Sequence, residues 1–158
     1  MKNALLHLGI TSLLIGSVAQ AGPQETARKM FERLTGAPLM LDDPRLKQMT
    51  TMVSAGQMTA AAEIATQDDN FYNETVRYWA MPMSNKDSTA FAPLNDFVAS
   101  FVGVARDQSD TRELLTGDFT YTVKNMGIPA EDNNTHYEQA DQTQVNLRQN
   151  LQRVENAS

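Results

Sequence analysis

The chain has 158 residues, of which 13 are lysine or arginine and 19 are aspartate or glutamate, so its formal net charge is -6. This acidic balance argues against a nucleic-acid binder, because such proteins present a basic face to the phosphate backbone. The sequence contains no cysteine. Disulfides, thiolate zinc sites, iron–sulfur clusters, a cysteine nucleophile and covalently attached c-type haem are therefore excluded.

The first 21 residues have the pattern of a secretory signal peptide. Lys2 provides the positive charge, an apolar run over 4–18 follows, and Ala19-Gln20-Ala21 matches a small-residue cleavage site. A retained membrane anchor is the alternative, but the run is short for a span of about 20 residues and no basic cluster follows it. We predict a periplasmic or secreted protein, cut after Ala21, with no membrane span left.

Three short helices are predicted next. The first covers 24–35, where four apolar residues share one helical face, and Gly36 ends it: Ala27, Met30, Phe31 and Leu34. Asp43 and Pro44 combine an N-cap with a proline in the first turn, so a second helix begins there and ends at Gly56. Thr59 is the predicted cap of a third helix, over 60–66.

The most apolar part of the chain follows. A helix opened by Asp68-Asp69 is expected to bury Tyr72, Val76 and Trp79 and to close at Pro82, before a polar loop over 84–89. The helix that begins at Ala92-Pro93 then keeps a 3.6-residue apolar period for more than three turns. We predict it as the central core helix, packed against the earlier helices through Leu94, Phe97, Val98, Phe101, Phe31, Leu34, Val76 and Trp79.

The remaining pattern is less regular. A short helix over 111–115 is capped by Asp110. Apolar residues then alternate with threonines over 119–123, but no partner strand is evident, so we interpret this segment as extended chain packed on helices. The tail carries Leu147, Leu151 and Val154 on one helical face, which indicates a marginal helix over 139–156 or a disordered tail.

These elements predict an all-α fold: one small, irregular helical domain of five to six short helices, with a marginal C-terminal helix. The predicted organisation is a signal peptide over 1–21, a helical domain over 22–137 and a polar tail over 138–158.

The stretch RELLTGDFTY, from Arg112 to Tyr121, resembles a segment of large exported bacterial proteins of the planctomycete-cytochrome type. The stretch MGIP that begins at Met126 and the stretch TARKMFERLTG that begins at Thr26 are similar to the same family. The resemblance implies a helix-rich region beside c-type haem domains, in proteins whose biochemical role is not established. It supplies no catalytic residue, and this chain lacks the C-x-x-C-H motif that attaches haem.

Within that stretch we expect a structural role first. Leu114 and Leu115 are predicted to bridge two neighbouring helices, since they point about 100° apart. Gly117 is expected to adopt a left-handed conformation that ends the helix. Phe119 and Tyr121 are expected to face the same side of the extended segment.

Catalytic and metal-binding patterns are sparse. His136 is the only histidine outside the predicted signal peptide, and we interpret it as a loop residue, exposed or locally hydrogen-bonded. The spacings Met49-x-x-Met52 and Met81-x-Met83 suit Cu(I), but methionine more often fills helical cores. The aspartates fit helix caps and no calcium-binding loop. We therefore predict no catalytic residue, no metal ligand and no cofactor.

The predicted function is a non-catalytic exported interaction or accessory domain, associated with an envelope or electron-transfer protein. Its alternative is a hydrolase that uses carboxylates as acid and base. The candidate binding residues are Arg112, Glu113 and Asp118, as a polar site, and Tyr78, as an exposed aromatic residue beside Trp79.

Overall fold

A computed structural model describes residues 21–84, 93–130 and 132–156. The predicted signal peptide, apart from Ala21, lies outside these residues, as do nearly all of the predicted polar loop and the predicted helix start at Ala92.

The described chain contains eight α-helices, one π-helical segment and two strands. In order they are α1 (Pro23–Thr35), α2 (Pro44–Ser54), α3 (Met58–Thr66), the π segment (Phe71–Val76), α4 (Arg77–Ser84), α5 (Asp96–Asp107), α6 (Glu113–Thr116), β1 (Phe119–Val123), α7 (Thr135–Gln142), α8 (Leu147–Asn150) and β2 (Leu151–Glu155).

The fold is mainly helical but not all-α, because β1 and β2 form a two-stranded antiparallel sheet. Phe119 lies opposite Glu155, and Val123 lies opposite Leu151. The interpretation of 119–123 as unpaired extended chain is therefore wrong. So is the continuous tail helix over 139–156, since that segment is divided into α7, α8 and β2.

The first three helices enclose their own buried residues, which we call the N-terminal cluster: Ala27, Phe31, Leu39, Leu46, Met49, Ala61 and Ala65. Gly36 has φ 69°, so a left-handed residue follows α1 as its sequence predicts. The Asp43 carboxylate accepts a hydrogen bond from the Arg45 backbone N–H at 2.8 Å, which confirms the cap of α2. Only α3 differs, because it begins at Met58 and Thr59 is not its cap.

A second group of buried residues, the C-terminal cluster, surrounds α5: Tyr72, Val76, Ala80, Leu94, Val98, Ala99, Val102, Val104, Tyr121, Val123, Tyr137, Ala140, Leu147 and Leu151. The predicted positions of Leu94, Val98 and Val76 are confirmed. Phe31 belongs instead to the N-terminal cluster, against which Leu34 also packs, and Phe97 and Phe101 are half-buried. The helix begins later than expected, because the Asn95 side chain accepts a hydrogen bond from the Val98 N–H and caps α5.

The sheet packs against α5 at a glycine. A Cβ atom on Gly103 would lie 2.3 Å from the ring of Tyr121, so only hydrogen fits between helix and strand. The Tyr121 hydroxyl donates to the Asp107 carboxylate at 2.7 Å, and burial raises the pKa of Tyr121 to about 12.

Ion pairs connect the residues between α3 and the π segment to α2 on one side and to α8 on the other. Arg45 on α2 reaches Asp68, just after α3, at 2.6 Å. Arg148 on α8 reaches Asp69 at 3.0 Å, and Asn146 donates to the same carboxylate at 2.6 Å. The residues between α3 and the π segment are therefore held from both sides.

Candidate interaction surface

The three residues of the predicted polar site each contact a different partner. Arg112 is exposed and pairs with Asp110, two residues earlier. Glu113 accepts a hydrogen bond from Arg153 at 2.6 Å. The Asp118 carboxylate accepts one from the Asn156 side chain at 2.9 Å. Two of the three residues therefore contact β2 or the residue after it.

The stretch around these residues differs from its sequence expectation in two respects. Gly117 is not left-handed, since its φ is −80°. Its lack of a side chain matters because a Cβ would lie 2.4 Å from the Phe119 ring. Leu115 is exposed and bridges no helices, while Leu114 is half-buried against the C-terminal cluster. The Phe119 and Tyr121 rings do pack together, edge to face at 5.9 Å.

The largest group of exposed apolar side chains among the described residues lies on α4. Tyr78 is 61% exposed, Trp79 55% and Met83 63%. Pro82 is exposed between them, inside the helix rather than at its end as the sequence predicts. We call Tyr78, Trp79, Pro82 and Met83 the α4 strip. Large exposed apolar groups that adjoin one another mark interaction sites more often than isolated ones do.

The π segment explains why Trp79 is exposed, against the prediction that it is buried. In an unbroken α-helix, Trp79 would lie near the face of Tyr72 and Val76. A π-helical turn takes up more residues than an α-helical turn, so every later side chain is rotated backward relative to Tyr72. Ala80 therefore occupies the buried face, and Trp79 lies beside it in solvent.

The α4 strip has a fixed support. The Trp79 ring contacts Phe71 edge to face at 6.4 Å, and Phe71 contacts Tyr72 in the same way at 5.1 Å. Arg77 pairs with Asp141 and thereby joins the start of α4 to α7. The strip is therefore presented on a helix that is anchored on its opposite side.

His136 has a structural position that the sequence did not indicate. It lies buried in the first turn of α7, and its Nε2 accepts a hydrogen bond from the Val123 N–H at 3.1 Å. Burial lowers the pKa of His136, which favours the neutral imidazole that this bond requires. The neighbouring Tyr137 donates from its hydroxyl to the Tyr121 carbonyl at 2.9 Å. Two α7 side chains therefore cover the outer edge of β1.

Two open cavities are present in the described part of the chain. One of about 320 Å³ lies between the end of β1 and α7, and is lined by Val123, Lys124, Asn125, Met126, Gln139, Thr143, Val145 and Asn150. Another of about 450 Å³ lies along α1, and is lined by Ala21, Thr26, Lys29, Met30, Arg33 and Leu34. Neither cavity is lined by a carboxylate.

Metal coordination gains no support from the geometry. Within residues 21–84, 93–130 and 132–156, no three histidine or acidic side chains lie close enough together to hold an ion. Met49 is fully buried in the N-terminal cluster. Met81 packs against the C-terminal cluster, whereas Met83 is exposed, so this pair is divided between core and surface.

Comparison with known proteins gives no match, since no family model fits the chain and no curated protein or solved structure is similar to it. In the described residues, no helix combines the length and the apolar character that crossing a membrane requires.

Proposed function

We propose that the chain is a non-catalytic exported accessory domain that binds a protein of the cell envelope through the α4 strip. The observation that carries this proposal is the adjacent exposure of Tyr78, Trp79 and Met83 on one anchored helix. Tyrosine, tryptophan and methionine are enriched at the centres of protein interfaces, where charged residues are depleted.

The chemistry of the strip favours an apolar protein surface as the partner. Pro82 and Met83 provide no hydrogen-bond donor, whereas a carbohydrate site needs polar groups around its aromatic ring to orient the hydroxyls. Of the charged residues just before the strip, Arg77 is paired with Asp141, and Glu74 is exposed a helical turn before Tyr78. An anionic lipid surface would be repelled by the acidic chain, which carries a net charge of -6.

Four carboxylates have arginine neighbours that disfavour a role as general acid. Arginine neighbours hold the pKa values of Glu25, Asp43, Asp107 and Asp110 below their usual range. A general acid at neutral pH needs a raised pKa, which burial without a neighbouring cation produces. The carboxylate-dependent hydrolase therefore gains no specific support, and the envelope setting rests on the signal-peptide pattern and the family resemblance.

Position-specific photo-crosslinking in producing cells tests the α4 strip. A photoreactive amino acid is placed at Met83 and, as a matched control, at Met58, an exposed methionine that begins α3. We expect a protein adduct from position 83 alone. We expect Trp79→Ala to remove that adduct at a temperature where circular dichroism shows the variant still folded, because loss of the contact with Phe71 costs only about 1 kcal/mol.

Equal adducts from both positions, or an adduct that survives Trp79→Ala, would contradict the assigned surface. An adduct with lipid alone would replace the protein partner with a membrane. Export has its own test, because mass spectrometry of the recovered protein should find an N-terminus at Gly22, and an intact Met1 would refute cleavage.

A further inference from the structure

The two outer edges of the small sheet differ in whether their backbone groups are hydrogen-bonded. Residues 120 and 122 of β1 form the hydrogen-bonded pairs with 154 and 152 of β2, since the flanking bonds run from Lys124 to Asn150 and from Asn156 to Asp118. The backbone groups of residues 121 and 123 therefore point to the outer edge of β1, where Tyr137 and His136 bind them. This edge is covered.

The same alternation directs the backbone groups of Leu151, Arg153 and Glu155 to the outer edge of β2. The Leu151 carbonyl accepts a hydrogen bond from Arg106 at 2.8 Å. Among the described residues, no hydrogen bond reaches the backbone N–H or C=O of Arg153 or Glu155 along this edge. Such a row of free donors and acceptors is a template for another strand.

We infer that this edge pairs with its equivalent in a second copy of the chain. An antiparallel arrangement centred on Val154 places Arg153 of one copy opposite Glu155 of the other, and Glu155 opposite Arg153. All of these residues direct their backbone groups outward, so both positions form full hydrogen-bonded pairs. The product is a continuous four-stranded sheet in the order β1, β2, β2, β1, related by a two-fold axis.

Charge selects this register over its neighbours. Moving the centre to Arg153 places two arginines directly opposite each other, and moving it to Glu155 opposes two glutamates, both of which are destabilising. Centring on Val154 alternates the signs and brings two half-buried valines together. It also leaves Leu151, whose carbonyl is already bound, outside the paired residues.

The β1–β2 sheet already packs against α5, so pairing with a second copy extends the sheet and is not required for its stability. The contact is small, so we expect a weak dimer that dissociates on dilution. This self-association uses a surface distinct from the α4 strip and does not depend on the proposed function.

Sedimentation velocity over a concentration series tests the inference. We expect a concentration-dependent dimer of the unmodified protein. Glu155→Arg should raise its dissociation constant at least tenfold, because two like-charged pairs then face each other across the interface. Arg153→Glu should do the same. An equimolar mixture of the two variants should restore the dimer, since each glutamate then faces an arginine.

Arg153 also contacts Glu113 and the Phe119 ring, and it pairs with Glu155 of its own strand at 2.6 Å, so both charge variants are checked for folding by circular dichroism. Glu155→Pro is the second variant, because it removes one outward N–H and leaves the bonds to β1 in place. It should weaken the dimer as Glu155→Arg does. Trp79→Ala should leave the dimer unchanged.

A protein that stays monomeric at every concentration would overturn the inference. So would a dimer that Glu155→Pro leaves intact, or one that Trp79→Ala abolishes.

Discussion

The N-terminal and C-terminal clusters differ in how far apart along the chain their contacting residues lie. In the N-terminal cluster, α1, α2 and α3 pack against one another in chain order, with short connections. In the C-terminal cluster, the sheet joins Val123 to Leu151, and α7, which lies between the two strands in sequence, covers the outer edge of β1. Helix periodicity is sufficient to predict the N-terminal cluster. The C-terminal cluster depends on pairings between distant residues that no local sequence pattern contains.

The largest effect on stability is expected from removal of the Tyr121 ring. Tyr121→Ala should lower the free energy of unfolding by about 3–5 kcal/mol, because a fully buried aromatic side chain between α5 and the sheet is lost. Chemical denaturation measures the loss. Hydrogen exchange sharpens the comparison, since protection should fall more in β1 and β2 than in α1.

Tyr121→Phe provides the matched control. It keeps the ring and removes only the hydroxyl bonded to Asp107, so a loss of about 1 kcal/mol is expected. If Tyr121→Ala cost no more than Tyr121→Phe, the ring would not be the junction between helix and sheet.

A smaller effect is expected at the glycine on the other side of this junction. Gly103→Ala should destabilise the fold by about 1–3 kcal/mol, because the new methyl group collides with the Tyr121 ring. Thermal unfolding measures the change. Gly22→Ala is the control, since no atom outside its chain neighbours lies within 4 Å of the added carbon. Equal melting temperatures for the two variants would contradict the close packing.

The N-terminal cluster should respond to a local change. Asp43→Ala removes the side-chain cap of α2 and should cost about 1 kcal/mol. Asp43→Asn keeps an acceptor at the same position and should retain most of the stability. Urea denaturation distinguishes the two, and a loss as large with Asn as with Ala would assign the effect to the ion pair with Arg45 instead.

The smallest expected effect is a pH dependence specific to the C-terminal cluster. Burial holds the pKa of His136 below its ordinary 6.5, so the unfolded chain takes up a proton at a pH where the folded chain does not. Stability is therefore complete above about pH 6.5 and declines as the pH falls toward the folded-state pKa. His136→Gln should flatten the profile between pH 7 and pH 5, and an unchanged slope would exclude this histidine as its source.

The N-terminal helices can be predicted from the sequence because their caps and apolar faces lie within a few residues of one another, as at Gly36 and Asp43. The strand β2 cannot, because Leu147, Leu151 and Val154 fit a helix equally well, and only pairing with β1 decides between them. The buried position of His136 has no local signal, because nothing nearby shows that a strand N–H would need its imidazole.

The candidate surface is predictable only in part. Tyr78 is exposed as predicted, but a uniform 3.6-residue period places Trp79 on the buried face. A short π-helical segment leaves no clear mark in composition, so its rotation of α4 could not be read from the sequence.

That segment also determines which residues the α4 strip presents. A deletion of one residue that removed the π turn would leave α4 in its present orientation, because a π turn holds one residue more than an α turn. Closing 71–76 into a regular α-helix with the sequence unchanged would instead rotate α4 by about 100° and carry Trp79 toward the face of Tyr72 and Val76. The aromatic surface would then be lost through a change in helical phase, without the substitution of any residue that forms it.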